Sequence, residues 1–239
     1  MVSYMNKKKY FIYVLMLLVY IFLIVAAFLN IDRISTVNTF YENTPNIIID
    51  AGHGGDDGGA VANGIVEKDI NLKIALKLKD IFKTSGYNVI MTRSSDKMIN
   101  EGGNSLRERK VSDMKKRLEI YNKDKNNVVI SIHQNKFTVE KYSGTQVFYG
   151  KNNKNSISLA ESIRSSVKKL LQPLNERAVK PADRNIYLLY NSEVPSVIVE
   201  CGFISNFKEA KLLKNNDYQN KIAFAVFSGF TKYYNNIRG

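Results

Sequence analysis

Apolar residues are arranged differently at the start of the chain and in the rest of it. Residues Tyr10–Leu29 form an uninterrupted apolar run of 20 residues with no charged side chain. From residue 46 onward, short apolar runs alternate with stretches in which apolar residues recur every three or four positions. The second pattern is typical of strands alternating with helices that bury one face. The chain therefore divides into an apolar leader and a globular part.

The apolar run predicts a transmembrane helix. Twenty helical residues span about 30 Å, the thickness of the hydrocarbon core of a membrane. A core helix of a soluble protein would show a polar stripe, and this run has none. The lysines at positions 7–9 precede the run, so the positive-inside rule places the N-terminus in the cytoplasm and the remainder outside.

The leader is either an uncleaved signal anchor or a cleaved signal sequence. The apolar run is longer than the core of a signal peptide, and no clear A-x-A site follows it, which favours the anchor. We therefore expect residues 1–29 to form a cytoplasmic stub and a membrane helix. Residues 30–45 are polar without a sustained period, and they predict a tether. Residues 46–239 then form one domain outside the membrane, either anchored or secreted.

The pattern within residues 46–239 predicts an α/β domain. The predicted strands are residues 47–50, 87–91, 128–132, 145–149, 186–189 and 196–199. The predicted helices are residues 69–85, 106–121, 157–171, 208–213 and 218–234. This alternation favours a twisted, mostly parallel central sheet flanked by helices.

Composition excludes several classes of protein. One cysteine permits no intrachain disulfide, and one cysteine with two histidines cannot build a cysteine-rich zinc module. The formal charge of +13 suits an anionic partner such as cell wall or lipid headgroups. The chain has no nucleic-acid-binding signature, so we expect no nucleic acid partner.

Candidate chemistry gathers where predicted strands end. His53 follows the first strand, His133 follows the strand of residues 128–132, and Glu200 follows the last one. If these strands are parallel, the three side chains converge at one edge of the sheet. Two imidazoles, a carboxylate and an open position for water are what a hydrolytic zinc site requires. Each histidine could instead be a hydrogen-bonded structural residue.

Two neighbouring features have other interpretations. The glycines of residues 52–59 could form a flexible turn or a phosphate-binding loop, but the lysine of a P-loop is missing and the third glycine of a dinucleotide fingerprint is misplaced. Small residues there would let the backbone approach a metal closely. Cys201 could be a nucleophile, although a small buried cysteine after a strand is commoner.

The carboxylate that would complete a metal site stays open at this point. Spacing does not choose among the acidic residues near His53, which are Asp50, Asp56, Asp57 and Glu67. Glu67 immediately precedes a predicted helix, where a glutamate also commonly stabilises the helix dipole. A second, unligated carboxylate must transfer protons. Burial raises the pKa of a carboxyl group, which would suit Glu200 for that role. Alternatively, Glu200 could belong to a structural ion pair.

Four blocks in this order resemble the zinc-dependent N-acetylmuramoyl-L-alanine amidases, which are peptidoglycan hydrolases with a twisted mixed sheet. The blocks are D-A-G-H-G-G (50–55), Glu67 after G-I-V (64–66), S-I-H-Q-N (131–135) and V-E-C-G-F-I-S-N (199–206). The resemblance covers residues 46–236. It implies cleavage of the amide between muramic acid and the L-alanine of the stem peptide.

The resemblance also assigns residues. It implies one Zn²⁺ per chain with His53, Glu67 and His133 as ligands. Glu200 matches the catalytic glutamate. Asn135 and Arg93 fall at positions that would shape the site or bind substrate.

Further features are most similar to the germination-specific amidases of the spore cortex. These are residues 110–117, the S-I-H-Q-N-x-F form of the histidine block and the membrane leader. In that subgroup the amidase removes stem peptides before a deacetylase helps to form muramic-δ-lactam. The implied partners are cortex peptidoglycan, the membrane, and a protein activator or downstream deacetylase, with the catalytic domain facing the forespore cortex. A zinc peptidase that cuts within the stem peptide and a partner-dependent wall-binding protein remain as alternatives.

Overall fold

The computed structural model describes the backbone of residues 2–41, 44–100 and 102–238, and the side chains of residues 7–27, 44–100 and 102–238. The chain forms two compact units, Met1–Thr44 and Pro45–Gly239. The first contains helix α1 (Val2–Tyr41). Its segment Lys7–Ala27 is long and apolar enough to cross a membrane, a criterion that a signal sequence also meets.

Helix α1 is longer than the predicted membrane helix. It continues to Tyr41, and no proline occurs before Pro45 to end it. The backbone of residues 30–41, within the predicted tether of residues 30–45, is therefore helical. Residues 42 and 43 and the side chains of residues 28–43 lie outside the described residues, and the tether itself stays a prediction.

The second unit is an α/β domain whose strands and helices alternate for most of its length. In chain order its elements are β1 (Asn46–Ala51), β2 (Val61–Ala62), β3 (Ile65–Val66), α2 (Glu67–Thr84), β4 (Val89–Met91), α3 (Leu106–Asn122), β5 (Asn127–Asn135), β6 (Gln146–Tyr149), α4 (Asn155–Leu170), β7 (Lys180–Pro181), α5 (Tyr187–Asn191), β8 (Ser196–Phe203), α6 (Phe207–Lys214) and α7 (Asn216–Arg238).

The central sheet is mostly parallel, as predicted. Its strand order is β4-β1-β5-β8-β6-β7, and β6 against β8 is the antiparallel pair among these neighbours. Alternate residues of β1 and β5 pack under α2, α4 and α7 to form the larger core. The opposite face is covered by α3 and α5. Helices on both faces explain why these strands are nearly continuous apolar runs.

The prediction of a strand at residues 186–189 is wrong. Residues Tyr187–Asn191 form helix α5. The run I-Y-L-L-Y is apolar throughout, and such a short run does not distinguish a strand from a buried helical turn. Leu188 packs in the cluster around Tyr121, whereas Leu189 is buried in the one around Ile198, so tertiary packing decides the outcome.

Two further features differ from the sequence-based expectation. Strands β5 and β8 extend beyond their predicted ends, so His133 and Glu200 lie within paired strands rather than after them. The hairpin of β2 and β3 was not predicted either. Its turn residues Asn63 and Gly64 have φ values of 49° and 67°, which the Asn-Gly pair adopts readily in tight hairpins.

Candidate metal centre and its surroundings

His53, Glu67 and His133 meet at one edge of the sheet. One nitrogen or oxygen atom from each lies within 4.8 Å of the others. The carboxylate of Glu67 bridges the two rings, because Oε2 lies 3.3 Å from His53 Nε2 and Oε1 lies 3.0 Å from His133 Nδ1. Among the acidic residues that the sequence left open, Glu67 is the one that joins both histidines.

The three side chains come from a loop, a helix and a strand. His53 lies in the loop after β1, Glu67 is the first residue of α2, and His133 belongs to β5. The backbone amides of Ala60 and Gln134 donate hydrogen bonds of 2.9 and 3.1 Å to the Glu67 carboxylate. Burial raises the pKa of Glu67, but hydrogen bonds and the charge of the two imidazoles hold it well below its usual range. The carboxylate is therefore ionised and rigidly held.

The glycines around His53 make room for this cluster. A Cβ atom on Gly52 would lie 2.2 Å from His133 Nε2. A Cβ atom on Gly59, whose φ is 68°, would lie 2.6 Å from Glu67 Oε2 and 2.7 Å from a carbon of the His53 ring. The glycine-rich sequence thus serves close packing against the cluster, as the sequence interpretation of small residues anticipated.

Asp57 orients His53 from behind. Its Oδ2 lies 2.8 Å from His53 Nδ1, and its Oδ1 pairs with Lys110 Nζ at 2.7 Å. Burial lowers the pKa of His53, but Asp57 and Glu67 outweigh it and raise this pKa to about 9. The Nδ1 contact leaves Nε2 directed at Glu67, which is how an outer carboxylate commonly orients a metal-binding histidine. Two imidazoles and a carboxylate are a donor set that fits zinc.

Asp50 and Asp56 have other roles. Asp50 is fully buried, and hydroxyl groups donate to it at 2.6–2.7 Å from Thr92, Ser131 and Tyr121. It also forms an ion pair with Arg117. The side chain of Asp56 is mostly exposed and pairs with Arg109 at 2.8 Å. Neither belongs to the histidine cluster.

Arg117 supports the site from below, a role that the sequence analysis missed. Besides Asp50, it bonds Asp113 at 2.6 Å. It also donates hydrogen bonds of 2.9 and 2.8 Å to the carbonyl oxygens of Ala51 and His53. The signal available in the sequence was Asp113 and Arg117 four residues apart in a highly charged helix, and nothing there showed that this pair is buried.

Arg93 and Asn135 lie in different environments. Arg93 is buried and donates to the carbonyl oxygens of Ala51 and Gly52 at 2.9 and 3.0 Å. It therefore braces the backbone that leads into His53. Asn135 lies at the end of β5 and lines a cavity of about 380 Å³.

Glu200 lies directly opposite His133 in the pairing of β5 with β8. Its Oε2 atom is inaccessible to solvent and has no hydrogen-bond partner among the described residues. Burial raises the pKa of Glu200 to about 7, Glu67 adds to this effect, and the two imidazoles oppose it. A carboxyl group with such a pKa can both accept and donate a proton near neutral pH.

Cys201 does not share this environment. Successive side chains of a strand point to opposite faces, and Cys201 is buried in the larger core under the helices. Burial raises the pKa of its thiol, so the reactive thiolate form is disfavoured. This agrees with a packing role and not with a nucleophile.

The fold and the site together define a family of cell-wall hydrolases. A model of the N-acetylmuramoyl-L-alanine amidase family matches residues 47–232, and the chain belongs to this family. It is 37% identical over 190 residues to the germination-specific N-acetylmuramoyl-L-alanine amidase of Bacillus subtilis, with 79% of each chain covered. The expected family and its likeness to germination-specific amidases are thus confirmed.

Solved structures show the same relationship. The CwlD amidase from Clostridioides difficile, in complex with the GerS lipoprotein, is 42% identical with a TM-score of 0.77, covering 80% of this chain and 99% of that one. The catalytic domain of CwlV from Bacillus (Paenibacillus) polymyxa is 30% identical with a TM-score of 0.65, covering 80% and 99%. The first is an amidase and the second is an N-acetylmuramoyl-L-alanine amidase. Their similarity to this chain confirms the predicted α/β fold class.

Proposed function

We propose that this chain cleaves the amide bond between muramic acid and the L-alanine of the stem peptide, with one zinc ion per chain, in spore-cortex peptidoglycan. The observation that carries the proposal is the cluster of His53, Glu67 and His133 with Glu200 on the next strand. Membership of the amidase family and the germination-specific relative support the substrate.

His53, Glu67 and His133 would hold the zinc. Bound there, zinc supplies Lewis-acid polarisation of the scissile carbonyl group and of a water molecule. Neighbouring groups hold these ligands in place. Asp57 orients His53, and two backbone amides donate hydrogen bonds to the Glu67 carboxylate. Arg93 and Arg117 brace the loop that carries His53 by binding its carbonyl oxygens.

Glu200 moves the proton. Its carboxylate accepts a proton from the attacking water and then delivers it to the nitrogen of L-alanine as that amine leaves. A pKa of about 7 before metal binding leaves both forms accessible. No hydrogen bond from the described residues ties the buried Oε2 atom to another group.

The proposed location follows from α1. The apolar segment Lys7–Ala27 anchors the chain with its N-terminus in the cytoplasm, and the catalytic domain faces the cortex. Sequencing the N-terminus of the mature protein tests this, because a new terminus near residue 30 would show a cleaved signal. Removal of stem peptides would prepare muramic acid for the deacetylase that helps to form muramic-δ-lactam.

A protein partner is also proposed. The C. difficile relative was solved in complex with a lipoprotein, and an activator of this kind would fit an amidase held at the membrane. Adding an extract of sporulating cells to the zinc-loaded protein should then raise the rate of stem-peptide release.

Mass spectrometry of digested cortex peptidoglycan tests the activity. The proposal predicts free stem peptides that begin with L-alanine, together with peptide-free muramic acid. A peptidase acting within the stem would instead leave shortened peptides on muramic acid. A wall-binding protein would sediment with peptidoglycan and release neither product when zinc is supplied.

A further inference from the structure

A cavity of about 380 Å³ lies next to the candidate site. Its lining includes Gln146, which pairs directly with Glu200 across β6 and β8, and Asn135, two residues after His133 on β5. Paired residues lie on the same face of a sheet, with backbones about 5 Å apart. A substrate held at Glu200 therefore extends into this cavity within one or two residues.

The cavity is basic. Its lining includes the cations Arg177 and Lys180 together with aromatic rings, and none of the described residues that line it is acidic. The neighbouring carboxylate of Glu209 is occupied, because it accepts hydrogen bonds of 2.9 and 2.8 Å from the amides of Gly144 and Phe203. Arg177 forms no ion pair with the described residues. Burial raises the pKa of the Glu209 carboxyl group, and the charge of Arg177 acts against this effect and lowers it.

Arg177 is held in one orientation. Its guanidinium group stacks 4.6 Å from the centre of the Phe203 ring, and its Nε donates a 2.8 Å hydrogen bond to the carbonyl oxygen of Ser143. The Nη1 and Nη2 atoms have no hydrogen-bond partner among the described residues. A fixed guanidinium with two spare nitrogens matches a carboxylate, which accepts two parallel hydrogen bonds.

We infer that Arg177, assisted by Lys180, binds a free carboxylate of an acidic peptide and selects substrates that carry one close to the scissile amide. The inference rests on the proposed function, which places a wall peptide in this cavity. An extended chain advances about 3.5 Å per residue, so the carboxylate of the residue after L-alanine reaches the cavity. Amidation of that carboxylate would remove the charge that Arg177 recognises.

Binding of two peptides to the full-length, zinc-loaded protein in detergent tests the inference. The peptides are L-alanyl-γ-D-glutamyl-L-lysine amide with the glutamate α-carboxylate either free or amidated, and calorimetry gives both dissociation constants. A charged hydrogen-bonded pair is worth about tenfold to a hundredfold in affinity. The wild-type protein should prefer the free carboxylate by that factor, and Arg177→Gln should lose the preference.

The control variants distinguish recognition of the carboxylate by Arg177 from a general effect of positive charge and from a loss of folding. Arg184→Gln removes an exposed arginine outside the cavity lining and should keep the full preference. Arg177→Lys should retain part of it, and Lys180→Gln, at an exposed position, should weaken it without affecting the fold. Equal binding of the two peptides by the wild-type protein, or an unchanged preference in Arg177→Gln, overturns the inference. Because binding is measured without turnover, a failure of the proposed amidase activity is seen separately, in the release of stem peptides.

Discussion

His133 and Glu200 occupy directly paired positions on the parallel strands β5 and β8. Adjacent strands are about 4.8 Å apart, so this pairing sets a candidate metal ligand beside the candidate proton carrier on one face of the sheet. The register shifts immediately afterwards, between His133 and Asn135, where the cavity begins. A slip of one residue would turn Glu200 to the opposite face, which makes the strand register itself part of the site.

Replacing Asp57 by asparagine should weaken zinc binding. The substitution removes the negative charge 2.8 Å from His53 Nδ1, and outer-shell changes of this kind typically cost about 10- to 100-fold in metal affinity. Competition with a chelator of known affinity measures the effect. Asp56→Asn is the matched control, since its partner is Arg109. Equal losses in both variants would contradict the orienting role of Asp57.

Zinc binding near neutral pH should release a proton from His53. In the metal-free protein the pKa of this imidazole is raised to about 9, so the ring is protonated below that pH, whereas a zinc ligand must be neutral. Zinc affinity should therefore increase with pH, by about tenfold per unit from this group, and level off above pH 9. Calorimetry at pH 7.5 in two buffers that differ in ionisation enthalpy counts the protons. Asp57→Asn should reduce the release, and zinc binding without any proton release would refute the prediction.

Gly52→Ala should displace His133. The added Cβ would lie 2.2 Å from the imidazole, and overpacking of this kind costs about 1–3 kcal/mol of stability. Because the ring must move, we expect zinc affinity to fall by about tenfold or more. Gly58→Ala is the matched control, since its Cβ would meet only a methyl group of Val66 at 3.3 Å. Similar zinc affinities for the two variants would show that the Gly52 contact is not needed.

Asp50→Asn should destabilise the domain without removing a zinc ligand. The substitution leaves Arg117 buried with one partner fewer, which typically costs about 3–5 kcal/mol. Burial raises the pKa of Asp50, but Arg117, Ser131 and Thr92 hold it well below its usual range. This carboxylate therefore stabilises the fold fully above its ordinary pKa, and the contribution is lost as pH falls.

The difference in stability between wild type and Asp50→Asn should be about 1 kcal/mol smaller at pH 3 than at pH 7. Urea unfolding of the zinc-free protein measures both values. The chain has no tryptophan, so near-ultraviolet circular dichroism of its tyrosines is a suitable probe. A constant or growing difference at acid pH would contradict this explanation.

Much of the fold could be predicted because the strongest patterns are long. The apolar periodicity of α2 and α7 and the buried runs of β1 and β5 were identified to within a few residues. Short elements were harder to predict from the sequence. Residues 186–189 show the reason, because packing against two clusters decides between strand and helix there. The Asn63-Gly64 turn was readable from its residues but was overlooked.

The candidate site was predictable only in part. Two histidines and one isolated glutamate limited the choices, and the family resemblance selected Glu67 among four acidic residues. Apart from the helical pair of Asp113 and Arg117, the supporting contacts of Asp57 and Arg117 join residues more than 50 positions apart or depend on a tight turn, and no periodicity predicts them. The same holds for Arg177, which reaches the cavity from the irregular segment between α4 and β7.

We propose that Glu200 moves the proton at a zinc site made by His53, Glu67 and His133. The most direct measurement is zinc content and stem-peptide release of Glu200→Gln beside wild type, on the same peptidoglycan. We predict one zinc per chain and an intact fold, with release reduced by about 100- to 10,000-fold. Release near the wild-type rate, or loss of zinc with the fold intact, would contradict the assignment.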